Sequence, residues 1–130
     1  MIQILQPPAW ARPKGFSNGI AASGKLVFIA GQVGYTGAGK WEAHDFAGQF
    51  RQAMKNVLAV LGEAGGEPQH LVRLTWYVLD KREYLDSLKA VGEAYRELMG
   101  RHYPAMAVVQ VSGLVEDEAR LEIEATAVVP

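Results

Sequence analysis

Between residues 45 and 99 the sequence carries two helical apolar periods, and the segments around them read as strands or loops. In the first, about Asp45 to Ala64, Phe46, Phe50, Met54, Val57, Leu58 and Leu61 recur at three- and four-residue spacing. Gln49, Arg51, Gln52, Lys55 and Asn56 occupy the rest of the circumference. Gly65-Gly66 follows, and glycine accepts the left-handed backbone that closes a helix. The second period, about Lys81 to Met99, aligns Tyr84, Leu85, Leu88, Val91, Tyr95 and Leu98, and Gly100 stops it. Each helix has one stripe to bury. Two helices can cover only one face of a sheet, and that limit decides the fold class.

The strand signals supply the sheet. "GFSNGIAASGKLVFIAGQVGY" reads as two strands joined by a tight turn at Ser23-Gly24, with a continuous apolar run from Leu26 to Ala30. "LVRLTWYVL" (71–79) is rich in branched and aromatic residues. "AMAVVQV" (105–111) and "ARLEIEATAV" (119–128) follow, separated by the acidic loop "EDE". The order is β-β-α-β-α-β-β, an α+β arrangement with a mixed sheet and both helices on one side. Leu121, Ile123 and Ala125, with Ala107, Val109 and Val111, are assigned to the helix face. The opposite face then holds Arg73, Thr75, Tyr77, Met106, Val108, Gln110, Glu122, Glu124 and Thr126. That set is too apolar for water and too charged for a monomer's core, which predicts a subunit interface and a homo-oligomer.

Composition removes several functions. The 130 residues fit one domain, and the absence of cysteine leaves no disulfide or thiolate metal site. A formal net charge of -1 offers no general attraction to nucleic acid or anionic lipid. The opening "MIQILQPPAW" has neither a basic start nor a long apolar run, and no stretch approaches the roughly 20 apolar residues of a membrane span. A cytoplasmic protein is expected, with neither membrane nor nucleic-acid partner.

The short motifs are mostly decoys. "GYTGAGKW" (34–41) matches most of a phosphate-binding loop, yet Trp41 stands where a magnesium-holding hydroxyl belongs, and the helical period starts too late. It reads as an ordinary turn. His44, His70 and His102 lie on separate loops without ligand spacing, so no metal is expected. Ser17, Ser23, Ser87 and Ser112 lack the glycines of a nucleophile elbow. The glutamates remain. Either Glu122 or Glu124 pairs with Arg73 as a structural ion or is simply solvated, or one of them polarises a water in a cleft between subunits.

"GFSNGIAASGKLVFIAGQVG", the helix ending in "LGEAGG", "LVRLTWYVLD", "GEAYRELMGRHYPAMA" and "LEIEATA" together resemble the YjgF/RidA family over nearly the whole chain. The resemblance implies a chorismate-mutase-like fold, a homotrimer, and clefts between subunits. There, without a cofactor, members hydrolyse enamine and imine intermediates to ketoacids and ammonia. It implies that Glu122 handles the attacking water, and that Ala30, Gly31, Phe16, Ser17, Met106 and Ala107 line the substrate cleft. Three positions depart from the pattern. Phe16 stands for a Tyr, Ala30 for a Ser or Thr, and Met106 for the arginine that clamps the substrate carboxylate. A thioether cannot replace a planar bidentate cation, so an arginine-lacking branch is implied. Its substrate is a small organic metabolite without a carboxylate at the usual position. The competing reading is a non-catalytic ligand-binding or regulatory trimer. An endoribonuclease role finds no support in charge or motif.

Overall fold

The computed structural model describes residues 2–130 and contains six strands and three α-helices. Strand β1 spans Ile2–Leu5, β2 Gly19–Ala22 and β3 Lys25–Val33. Helix α1 runs over Phe46–Glu63, and a short 3₁₀ turn at Pro68–His70 leads into β4, Leu71–Val78. Helices α2 (Lys81–Asp86) and α3 (Leu88–Met99) precede β5 (Ala105–Gln110) and β6 (Leu121–Val129). The main sheet has the order β3-β6-β4-β5, antiparallel except for the β4–β5 pair, so it is mixed as expected.

Two connections differ from the sequence reading. Strand β2 pairs with β1 rather than with β3, in a separate two-stranded sheet that the proline-rich opening concealed. A tight link at Ser23-Gly24 says how the chain turns, not which strands bond. The second helical period is also two helices, broken at Ser87, whose hydroxyl donates 2.8 Å to the Glu83 carbonyl. Such a local bond offers the backbone an alternative to the helical ladder.

Both long helices lie on one face. Phe50, Met54, Leu61, Leu71, Leu74, Leu121 and Ile123 are fully buried there, and Phe50 stacks on Trp76 with ring centroids 4.7 Å apart. Gln49, assigned to the polar side of the first helix, is in fact buried with them. Its amide donates to the Glu118 and Ala43 carbonyls and accepts from the Arg120 N–H, so it ties the "EDE" loop to α1. A buried amide is stable only with its hydrogen bonds satisfied, and here the backbone of two loops satisfies them.

Paired residues of neighbouring strands share a face. Leu121, Ile123 and Ala125 face the helices as predicted, and Arg73, Thr75, Tyr77, Glu122, Glu124 and Thr126 lie opposite. For β5 the prediction was inverted. Met106 pairs with Leu74 and Val108 with Trp76, and both pack on the helix-side core. Ala105, Ala107 and Val109 take the uncovered face instead. The segment is apolar at nearly every position, so it carries no alternation from which to choose, and a one-residue change of phase reverses every side chain.

Candidate functional site

The register of β3 on β6 breaks between Ile29 and Gln32, leaving Ala30 and Gly31 as a bulge. The bulge brings Gly31 against the side chain of Glu122. A Cβ on Gly31 would overlap Glu122 Oε2 and lie 2.8 Å from its carboxyl carbon. Any other residue at this position would have to push the Glu122 carboxylate aside. Glu122, Ala30 and Gly31 are therefore one group, on the uncovered face.

Neither Glu122 nor Glu124 forms an ion pair with Arg73 among the described residues; the only pairs there are Arg51–Glu97 and Arg120–Glu83. Glu124 instead accepts a hydrogen bond from the Tyr77 hydroxyl at 2.5 Å. That bond, with burial and the charge of both glutamates, holds the Tyr77 phenol above its ordinary pKa, against a smaller opposing pull from Arg73. Tyr77 was legible as a face residue, but its partner was not. Arg73, Thr75, Glu124 and Phe28 rim a shallow cavity of about 280 Å³ on the same face.

Phe16, Ser17, Met106 and Ala107 lie at the other edge of the sheet. Ser17 bridges to Ala105, its N–H donates to the Pro104 carbonyl at 3.0 Å, and its hydroxyl donates to the Tyr103 carbonyl at 2.5 Å. That hydroxyl is a strap holding the N-terminal loop on β5. Phe16 is 37% exposed and lines a groove of about 580 Å³ with Trp10, Arg12 and Tyr103. Met106 opens into a different cavity, of about 290 Å³, between α3, β5 and the Lys14-Gly15 loop. Ala30 and Gly31 on β3 lie three strand spacings, about 14 Å, from β5, and Glu122 on β6 lies two, about 10 Å. One chain thus separates the predicted residues into a carboxylate group and an edge group.

The remaining motifs stay apart from both. Thr36 and Lys40 close the would-be phosphate loop on themselves, with Thr36 N donating to the Lys40 carbonyl at 2.8 Å and Lys40 N to Thr36 Oγ1 at 3.1 Å. His70 Nδ1 accepts from Glu67 N, and His102 Nε2 contacts the Leu71 carbonyl. Among the described residues no three His, Asp or Glu side chains are grouped to hold a metal ion. No helix there is long and apolar enough to cross a membrane.

The described residues form a two-layer α+β fold with one bare sheet face and a carboxylate lodged on a strand bulge. The comparisons with known proteins narrow it. The family model described as Endoribonuclease L-PSP matches residues 8–129. A RutC family protein of Pyrococcus horikoshii is 32% identical over 117 residues, 89% of either chain. The human 2-iminobutanoate/2-iminopropanoate deaminase is 30% identical over 105 residues, covering 80% of this chain and 73% of its own. The crystal structure of a Rid-family protein from Yersinia pestis superposes with a TM-score of 0.86 at 30% identity, covering 98% of each chain. The chain belongs to the YjgF/RidA family.

Proposed function

We propose that this protein is a homotrimer that hydrolyses or tautomerises an enamine- or imine-like metabolite in pockets shared between subunits, with Glu122 positioning and deprotonating the attacking water. The observation that carries this reading is the Gly31–Glu122 contact, a carboxylate held over a backbone bulge and, among the described residues, bound to no cation. An ionised carboxylate without an ion-pair partner is free to accept a proton from water. The separation of the edge group from Glu122 supports the oligomer. A site containing both Met106 and Glu122 requires the edge of one subunit to meet the bare face of another. Leu26 and Phe28, 61% and 75% exposed on that face, supply apolar area for such a contact.

The family relatives named as iminobutanoate and reactive-intermediate deaminases favour ammonia-releasing hydrolysis. The hydrolytic step adds water across the C=N bond of the imine; the resulting carbinolamine loses ammonia and leaves a carbonyl. Glu122 would take a proton from the water and return it to the departing nitrogen. Met106 supplies no charge to a substrate carboxylate, so small 2-imino acids should be poor substrates.

The test is ammonia release from 2-aminoacrylate generated in situ and from larger imines. Glu122→Gln should lower turnover of any accepted imine on the order of a hundredfold or more. Met106→Arg should raise activity on 2-aminoacrylate, and Glu122→Gln in that background should remove the gain. Turnover that is indifferent to Glu122→Gln would leave the non-catalytic trimer as the better reading.

A further inference from the structure

The cavity beside Met106 has a chemistry of its own. Trp76, Tyr84, Tyr95 and Tyr103 contribute aromatic surface, Lys14 and Arg96 stand on its rim, and none of its lining residues is acidic. Neither Lys14 nor Arg96 has an ion pair or side-chain hydrogen bond among the described residues. The Arg96 guanidinium folds back along α3 by one turn. Its Nη1 lies 3.4 Å from where a Cβ of Gly92 would be, over the one position of that turn without a side chain. The walls hold a second unspent group. Trp76 is 4% exposed, and its Nε1 is the one buried side-chain polar atom without a partner among the described residues.

Two unpaired cations over an aromatic floor select a ligand with one negative group and a flat apolar body. We infer that Arg96, assisted by Lys14, is the carboxylate-binding residue of this protein, and that its ligands are aromatic or similarly planar organic carboxylates. This rests on the imine-hydrolysis reading only for its reaction; the binding claim stands on the cavity. Strand β5 presents a thioether at the cavity wall, and helix α3 presents the guanidinium at its mouth. The charge is thereby set further from the cavity floor, which suits a longer substrate than a three- or four-carbon imino acid. A volume of about 290 Å³ is at the small end of ligand pockets and fits a single ring with a short side chain. The planar fork of Arg96 can grip both carboxylate oxygens, while Lys14 adds a point charge.

The probe is phenylacetate, with the uncharged phenylacetamide as its control, titrated into isotope-labelled full-length protein and followed by NMR. The chain has three tryptophans, so three indole N–H signals are expected. Exposed Trp10 and half-buried Trp41 can be assigned through Trp10→Phe and Trp41→Phe. Saturable phenylacetate binding should move the Trp76 signal, and phenylacetamide should bind about tenfold more weakly or worse. Arg96→Ala should weaken phenylacetate about ten- to hundredfold and leave phenylacetamide unchanged, with Arg96→Lys in between. Arg96 is exposed, so folding is not at stake. No saturable binding of phenylacetate, equal affinity for the amide, or affinity indifferent to Arg96→Ala would each overturn the inference. Glu122→Gln separates the two readings, because it should abolish turnover without affecting phenylacetate affinity. If no imine is turned over but binding depends on Arg96, only the reaction is wrong. If imines are hydrolysed and Arg96→Ala changes neither affinity nor kcat/KM, only the present inference fails.

Discussion

The two faces of the four-stranded sheet obey different rules, although the same strands build both. Toward the helices, Leu121 and Ile123 of β6 are fully buried against Phe50, Met54 and Leu74. One residue along in each case, Glu122 and Glu124 point the other way, among Tyr77, Thr75, Arg73, Leu26 and Phe28. The first face is complete within one chain. The second has a carboxylate on a bulge, a tyrosine bonded to a carboxylate, and large exposed apolar side chains, with no other element of the chain covering it. The comparison teaches that the apolar alternation of β6 encodes the core, whereas the intervening residues are left free of it and carry the carboxylates on which the proposed assembly and chemistry rest.

Substitutions on the two faces should therefore fail in different ways. The largest effect is expected from Phe50→Ala, which opens a cavity under Trp76 and should destabilise the fold by about 3–5 kcal/mol in denaturant titrations. Phe28→Glu, on the other face, should leave secondary structure intact and dissociate the assembly; if it unfolds the chain instead, the two faces are not distinct. Next comes Gln49→Ala, which strands the Arg120 N–H and two loop carbonyls and should cost about 1–3 kcal/mol by the same measurement. A loss much below that would mean water readily replaces the amide.

Gly31→Val addresses the bare face alone. The added side chain must displace the Glu122 carboxylate, so turnover should fall roughly tenfold or more while the helix-side core is untouched. Unchanged turnover would remove Glu122 from the reaction. The smallest effect is a titration. The Tyr77 phenol, held up mainly by its bond to Glu124, should titrate above the ordinary tyrosine range in an absorbance difference between wild type and Tyr77→Phe. A folded pKa above the unfolded value means the bond's contribution is fully present below about pH 10 and is lost as pH rises through the folded value. A difference spectrum centred at or below the ordinary value would show that the Tyr77–Glu124 bond does not form.

The sequence disclosed the architecture wherever its apolar pattern had a phase. The stripe of Phe46 to Leu61, Val91 and Tyr95 of the second period, and the alternation of Leu121, Ile123 and Ala125 placed the helices on one face and the glutamates on the other. Leu85 and Leu88, read into the second stripe, are exposed because the break at Ser87 turns that part of the period outward. The β5 segment had no phase, so Met106 and Val108 were given the wrong side. Gln49 was misplaced because its polarity marks it for water, and only the loop backbones around it make burial favourable. The family pattern named Gly31 and Glu122 as separate cleft residues, and their contact came only with the β3 bulge. It could not reveal that Met106 stands on the opposite face of the sheet, or that Arg96 reaches the cavity Met106 lines, because both depend on strand register and side-chain direction. Strand β1 escaped because four residues before a proline pair carry too little pattern to distinguish a strand from a loop.

Sedimentation velocity at micromolar concentration tests most directly whether the bare face is an interface. The account predicts a single species of three chains, which Phe28→Glu converts to folded monomers without measurable turnover. A wild-type protein that sediments as one chain at these concentrations, yet still releases ammonia from an imine, would contradict it.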